Sequence, residues 1–107
     1  MVHRILVVDD EEAVRSMVRD VLESQGFRVV AAGEFNEATR KIKETRPHVA
    51  LIDFLLPKKN GFALAEQIRK DSTTATMPII MMSGVFKNPK TDIAAATVAA
   101  PRRLAAS

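Results

Sequence analysis

Four short apolar runs recur along the chain, and this pattern constrains the possible folds more than any other feature. Each run is rich in β-branched residues, as expected for strands buried on both faces of a sheet. The runs occupy residues 4–8, 27–32, 49–52 and 78–82. Between them, apolar residues return at spacings of three and four, which is typical of amphipathic helices. The alternation predicts an α/β fold with a parallel sheet covered by helices on both faces.

The predicted helices have recognisable ends. Residues 13–22 follow four consecutive acids, which favour the positive end of a helix dipole, and Gly26 ends this helix. A second helix is expected over residues 34–45, before Pro47, and Asn60 is expected to cap a third.

Composition narrows the classes of protein to which the chain can belong. With 107 residues it has the size of one domain, and we expect a single domain over residues 1–107. The absence of cysteine excludes a disulfide scaffold and a thiolate zinc site. No apolar run approaches the roughly eighteen residues of a membrane span, and no signal peptide precedes the first strand. We therefore expect a cytoplasmic protein that does not bind a membrane.

The net charge of +3 is a weak indication of nucleic-acid binding. Arg102 and Arg103 contribute two of these charges from the last six residues, and the chain has no tyrosine or tryptophan to stack on bases. We expect no direct contact with nucleic acid.

Polar residues follow three of the predicted strands. Asp9 and Asp10 follow the first strand, Asp53 the third and Ser83 the fourth. Ligands of open α/β sheets bind beyond the carboxyl ends of the strands, so these side chains are expected to share one pocket if the first strand is central. Carboxylates so close repel one another, and an all-oxygen set of ligands indicates that Mg²⁺ offsets the repulsion. A carboxylate beside such an ion can attack phosphorus and form an acyl phosphate.

Simpler interpretations exist for each of these residues alone. The acids at positions 9–12 could stabilise only the first turn of a helix, and an isolated serine such as Ser83 is more often a turn former. His3 and His48 precede strands, at the end of the sheet opposite the pocket, so a surface role is expected for both. The combination of acids at several strand ends favours a site.

The chain resembles the receiver domain of bacterial two-component response regulators, the module typified by the chemotaxis response regulator. The resemblance rests on the first strand with the Asp9–Asp10 pair, and on the pattern Asp53-x-x-x-Pro57-x-x-x-Gly61. Ser83, followed by a small residue, stands thirty positions after Asp53, where the family keeps threonine or serine. The resemblance extends to about residue 93, and residues 94–107 form an atypical tail rich in alanine and arginine.

The resemblance implies a flavodoxin-like, doubly wound parallel sheet in the order 2-1-3-4, with a doubtful fifth strand and no fifth helix. It implies that Asp53 accepts a phosphoryl group from a histidine kinase and that Ser83 contacts this group. Asp10 would bind Mg²⁺ directly and Asp9 through a metal-bound water, together with Asp53 and the backbone carbonyl of Leu55. Such a module is a phosphoacceptor that assists its own phosphorylation and dephosphorylation, not an enzyme with a separate substrate.

The tail departs from the family pattern. Receiver domains end their fifth strand with an aromatic switch residue and then a Lys-Pro pair, and the best alignment places Arg103 and Ala106 at the aromatic and lysine positions. Residues 94–100 have helical propensity, and the faint signal for a fifth strand lies at residues 103–104. Without a fifth helix, we expect apolar surface on the fourth-strand side of the sheet, a tail packed as helix, and self-association through that side.

Two other functions compete with phosphorylation-dependent signalling. A pseudo-receiver would keep the fold as a protein-interaction module with impaired phosphotransfer, because the lysine is absent. An Mg²⁺-dependent hydrolase or a nucleotide-binding enzyme of similar topology is disfavoured, since the sequence has no glycine-rich loop after the first strand. The downstream partner is not identifiable from the sequence.

Overall fold

The computed structural model describes residues 2–82 and the backbone of residues 97–98, which together form a five-stranded sheet with three helices. The strands follow the order β2-β1-β3-β4-β5, and the first four are parallel. The elements, in chain order, are β1 (Arg4–Val8), α1 (Glu12–Ser24), β2 (Arg28–Ala32), α2 (Phe35–Thr45), β3 (Val49–Asp53), α3 (Gly61–Lys70), β4 (Ile79–Met82) and β5 (Thr97–Val98). The predicted order 2-1-3-4 is confirmed.

The central position of β1 aligns the carboxyl ends of three strands. Val8 lies opposite Ala32 of β2 on one side and opposite Ile52 of β3 on the other. Asp9 directly follows Val8, and Asp53 directly follows Ile52. The register therefore places the two aspartates side by side at one edge of the sheet.

The main core lies between the sheet and the pair α2 and α3. Strand residues that point to this side are fully buried, as Leu6, Ile52 and Ile79 show. Burying one such side chain contributes about 1.5–3 kcal/mol. Helix α1 packs mainly against β1 and β2 on the other side, where its Val14 is buried. The helices are thus on both faces, as the alternation of elements predicts.

Side-chain caps define where two helices begin. The Glu34 carboxylate accepts hydrogen bonds from the N–H groups of Asn36 and Glu37, so α2 begins at Phe35 and Glu34 is its cap. The Asn60 side chain accepts from Ala63 N–H at 3.0 Å, which confirms the predicted cap of α3.

The fifth strand differs from the sequence-based expectation. It lies at Thr97–Val98, inside the segment for which we expect a helix, and it runs antiparallel to β4 through the pairs Ile80–Val98 and Met81–Thr97. Threonine and valine are β-branched, and pairing with the edge of β4 outweighs the helical propensity of the neighbouring alanines. The expected strand at residues 103–104 lies outside the described residues.

Within the described part of the chain, no helix has the length and apolar character needed to cross a bilayer.

Candidate functional site

Three aspartates meet at the carboxyl edge of the sheet. Asp9 follows β1 and Asp53 is the last residue of β3, and both are fully buried, whereas Asp10 is exposed. One carboxylate oxygen from each of the three lies within 4.8 Å of the others. The structure therefore brings together the aspartates that the strand ends predict.

Short-range hydrogen bonds orient the two buried carboxylates. Asp9 Oδ1 accepts from the N–H of Glu11 at 2.9 Å, and Asp53 Oδ1 accepts from the N–H of Leu55 at 3.2 Å. Both are aspartate turns, in which a side chain bonds the backbone two residues later. Each carboxylate thus has a direction set by the turn that follows its own strand.

The loop after β3 is tied back to the sheet. Phe54 N–H donates to the Met82 carbonyl at 2.7 Å, and Gly61 N–H donates to the Phe54 carbonyl at 2.8 Å. Leu56 is buried in the core, whereas the side chain of Leu55 is 65% exposed. This anchoring keeps Asp53 and the backbone of Leu55 at the edge where Asp9 and Asp10 lie.

The donor set of this site fits a small, hard cation. All three candidate ligands are carboxylates, and a cluster of such charges favours a divalent ion with oxygen ligands. The three carboxylate oxygens, within 4.8 Å of one another, are close enough to surround one such cation.

Arg15 is a neighbour of the site that sequence reasoning missed. Its Nη1 donates to the backbone carbonyl of Asp9 at 2.6 Å. In the sequence, Arg15 is one of several charged residues on an amphipathic helix, and no local pattern distinguishes it from Arg19. The contact follows only from the way α1 packs beside β1.

The two histidines considered from the sequence lie away from the clustered aspartates. Ser83, together with Arg103 and Ala106, falls outside the described residues. His3 and His48 are at the opposite end of the sheet, with their rings edge to face at 4.9 Å. There His48 Nδ1 accepts from the N–H of Arg4 at 2.9 Å, so this histidine has a structural contact far from the acids.

A cavity of about 160 Å³ also lies at the opposite end of the molecule, between the end of α2 and the loop after α3. Its lining includes Ile42, Arg46, Asp71 and Met77. The hydroxyl and the N–H of Thr73 donate to Asp71 Oδ1 and lower the pKa of that carboxyl. The cavity contains none of the clustered aspartates, so the candidate site is the acidic edge of the sheet.

Comparisons with known proteins agree with this arrangement. A chain similar to this one is the phosphate regulon transcriptional regulatory protein PhoB of Escherichia coli (strain K12), which is 36% identical over 83 residues. The DNA-binding response regulator MtrA of Mycolicibacterium smegmatis is also 36% identical over 83 residues. These matches cover 78% of this chain but only 36% and 35% of the two relatives, so the chain spans about a third of their length.

Solved structures show the same fold. A putative response regulator from Chloroflexus aurantiacus is 34% identical with a TM-score of 0.73, over 76% of this chain and 66% of that chain. The chemotaxis response regulator CheY4 of Vibrio cholerae is 31% identical with a TM-score of 0.73, over 76% of this chain and 68% of that chain. The fold is therefore the flavodoxin-like fold of these neighbours. The family model of the response regulator receiver domain matches residues 5–104, and the chain belongs to this family.

Proposed function

We propose that this receiver domain accepts a phosphoryl group from a histidine kinase on Asp53, with Mg²⁺ bound at the acidic cluster. The observation that carries the proposal is the meeting of three carboxylate oxygens within 4.8 Å at the carboxyl edge of the sheet. Receiver domains are phosphoacceptor modules that take phosphoryl groups from histidine kinases. The assignment of the acceptor role to Asp53 within this chain is our proposal.

The chemistry requires one carboxylate to act as a nucleophile. An Asp53 oxygen attacks the phosphorus of a phosphohistidine, a new O–P bond forms, and the P–N bond breaks as the imidazole leaves. The hydrogen bond from Leu55 N–H holds the Asp53 carboxylate in one orientation for this attack. Mg²⁺, when bound, supplies positive charge close to the phosphoryl oxygens.

Each of the remaining residues has a proposed role at the same edge. Asp10 would hold the cation directly and Asp9 through a water, and the Leu55 carbonyl and Asp53 would complete the protein ligands. Ser83 contacts the transferred phosphoryl group. The burial of Asp53 limits access of water to the acyl phosphate, and the domain itself assists both its formation and its hydrolysis.

The test is phosphorylation with a small phosphodonor. With Mg²⁺ and acetyl phosphate, we expect intact-mass spectrometry to show one added phosphoryl group. With Mg²⁺ and without acetyl phosphate, we expect beryllofluoride to bind at the same site. Asp53→Asn should abolish both, whereas the control Glu12→Gln, an exposed acid at the start of α1, should retain both. Phosphorylation of Asp53→Asn at the wild-type rate would contradict the assignment.

The second candidate function is that of a pseudo-receiver, a protein-interaction module without phosphotransfer. It is favoured by the tail sequence, in which Ala106 aligns with the lysine and Arg103 with the aromatic switch of the family. The same experiment separates the two functions. A wild-type chain that binds neither Mg²⁺ nor beryllofluoride would establish the pseudo-receiver.

We further propose that the domain is cytoplasmic and that phosphorylation changes a protein-interaction surface. The relatives are by name a transcriptional regulatory protein and a DNA-binding response regulator, each much longer than this chain. We expect any contact with DNA to come from a separate domain, since the described receiver residues offer no tyrosine or tryptophan to stack on bases.

A further inference from the structure

Arg15 contacts the acidic cluster in a way that the proposed chemistry does not use. Its half-buried guanidinium donates to the carbonyl oxygen of Asp9 at 2.6 Å. The N–H of Asp9 donates to the Ala32 carbonyl at 3.1 Å, at the level where the pairing of β1 with β2 ends. In a parallel ladder, the N–H and C=O of one residue point towards the same neighbouring strand. The Asp9 carbonyl therefore points towards β2 beyond its last paired residue, and Arg15 provides a donor there.

The guanidinium has space because residue 33 is a glycine. A Cβ at Gly33 would lie 3.2 Å from Arg15 Nη1 and 3.7 Å from Glu37 Oε1. Gly33 N–H donates to that same Glu37 oxygen at 2.7 Å. The guanidinium of α1 and a carboxylate of α2 thus both lie close to Gly33.

The bond from Arg15 acts on the peptide group that joins the first two aspartates of the cluster. The carbonyl that it contacts belongs to the peptide between Asp9 and Asp10, whose N–H is that of Asp10. A charge-assisted hydrogen bond resists rotation of this peptide group. The exposed carboxylate of Asp10 is attached to this peptide, so the direction of the peptide influences where the carboxylate lies.

We propose that Arg15 is a positioning residue for the cation site, which orients the peptide between Asp9 and Asp10 without itself being a ligand. This inference rests on the proposed function, since it assumes that the aspartates bind Mg²⁺. Residues that hold metal ligands in place typically contribute about 10- to 100-fold to metal affinity. We expect a loss of that size when Arg15 can no longer donate its charged bond.

The experiment compares Arg15→Gln and Arg15→Lys with a matched control, Arg19→Gln, which lies one turn further along α1 and is exposed. Two quantities are measured: the Kd of Mg²⁺ by calorimetry, and the NMR shift of the Asp10 amide in metal-free protein. We expect Arg15→Gln to weaken Mg²⁺ binding by at least about 10-fold and to move the Asp10 amide signal. Arg15→Lys should stay within about threefold of the wild type, because lysine still donates a charged bond.

The control separates positioning from the general effect of a lost positive charge. Arg19→Gln should leave both the Kd and the Asp10 amide shift unchanged. If Arg19→Gln changes the affinity as much as Arg15→Gln does, or if Arg15→Gln binds Mg²⁺ as the wild type does, the inference is overturned. A wild type that binds no Mg²⁺ would instead refute the proposed function, and this inference with it.

If Arg15→Gln does not fold, a second variant still tests the inference. Gly33→Ala places a methyl group 3.2 Å from Arg15 Nη1 and displaces the guanidinium while retaining its charge. We expect a well-folded Gly33→Ala to weaken Mg²⁺ binding and to shift the Asp10 amide. Wild-type values for both the Kd and the Asp10 amide shift in a well-folded Gly33→Ala would overturn the inference.

Discussion

Gly61 brings the first turn of α3 directly against the end of β3, where Asp53 lies. An ideal Cβ at this position would overlap the carbonyl oxygen of Asp53 and would lie 3.0 Å from Ile52 Cγ2. Both of these neighbours belong to the rigid end of a central strand, so neither can move away at small cost. Residue 61 therefore has to be a glycine for the loop after Asp53 to close as it does.

Gly61→Ala should destabilise the fold and distort the site. Overpacking of this kind costs about 1–3 kcal/mol, and urea denaturation measures the loss. We also expect weaker Mg²⁺ binding, because the carbonyl that moves belongs to Asp53. Gly33→Ala is the control for stability, since its Cβ would meet the end of the flexible Arg15 side chain and should cost less. Equal losses in the two variants would contradict this explanation.

Asp10→Asn should separate the charge repulsion of the cluster from its affinity for metal. If Mg²⁺ binds only the native arrangement, it stabilises the wild type by about 1.4 kcal/mol at ten times its Kd. The variant should lose most of that gain, while its metal-free form melts at a higher temperature than the wild type because one of three repelling charges is gone. Thermal melts with and without Mg²⁺ measure both effects, and an unchanged response to Mg²⁺ would count against the metal site.

At the scale of the elements, the residue that follows a helix affects how favourable the end of that helix is. Helix α2 ends at Thr45 and is capped by Arg46, whose backbone is left-handed with φ of 49° and whose N–H donates to the Ile42 carbonyl at 3.0 Å. Arginine is strained in this conformation, which glycine adopts freely. The Arg46 carbonyl also accepts a bond from Arg4 Nη2 at 3.0 Å, and this backbone contact does not depend on the side chain of residue 46.

Arg46→Gly should therefore stabilise the protein, by about 0.5–1 kcal/mol in urea denaturation. Arg40→Gly is the matched control, because it removes an exposed arginine from the interior of the same helix and should destabilise by about 1 kcal/mol. A loss of stability in Arg46→Gly similar to that in Arg40→Gly would show that the left-handed residue is not a source of strain.

At the scale of the whole molecule, the two faces of the sheet are covered unequally. On the side of α2 and α3, Ile79 and Met81 of β4 are fully buried, whereas Ile80 and Met82, which point to the side of α1, are only half-buried. Leu51 of β3 is half-buried in the same way. Because α1 packs mainly on β1 and β2, this half-covered part of the sheet lies away from it.

We expect the protein to self-associate through this side of β3 and β4, since burial of these side chains in a second copy removes apolar surface from water. Sedimentation velocity at micromolar concentrations should show a dimer or larger species. Ile80→Arg should shift it towards monomer, while Phe62→Arg, which changes an exposed apolar residue on α3, should not. A monomeric wild type would refute the prediction.

The order of the first four strands was implied by the resemblance to receiver domains, whereas the sequence by itself determined the succession of strands and helices and the candidate acids. It did so because these features rest on local patterns: the β-branched runs, the spacing of apolar helix residues, and the position of Asp9 and Asp53 directly after buried strands. The cap at Asn60 is likewise a local signal, and it is confirmed. Together with the resemblance to receiver domains, these patterns were sufficient to recognise the family.

Only the tertiary structure decided which of these residues touch and how far each is buried. Asp9 is enclosed while its neighbour Asp10 is exposed, because successive residues at a strand end point in different directions. The bond from Arg15 to the Asp9 carbonyl depends on the packing of α1 beside β1, and the strand at Thr97–Val98 depends on pairing with β4. Contacts between residues distant in the chain arise from packing and pairing, and local propensity carries no information about them.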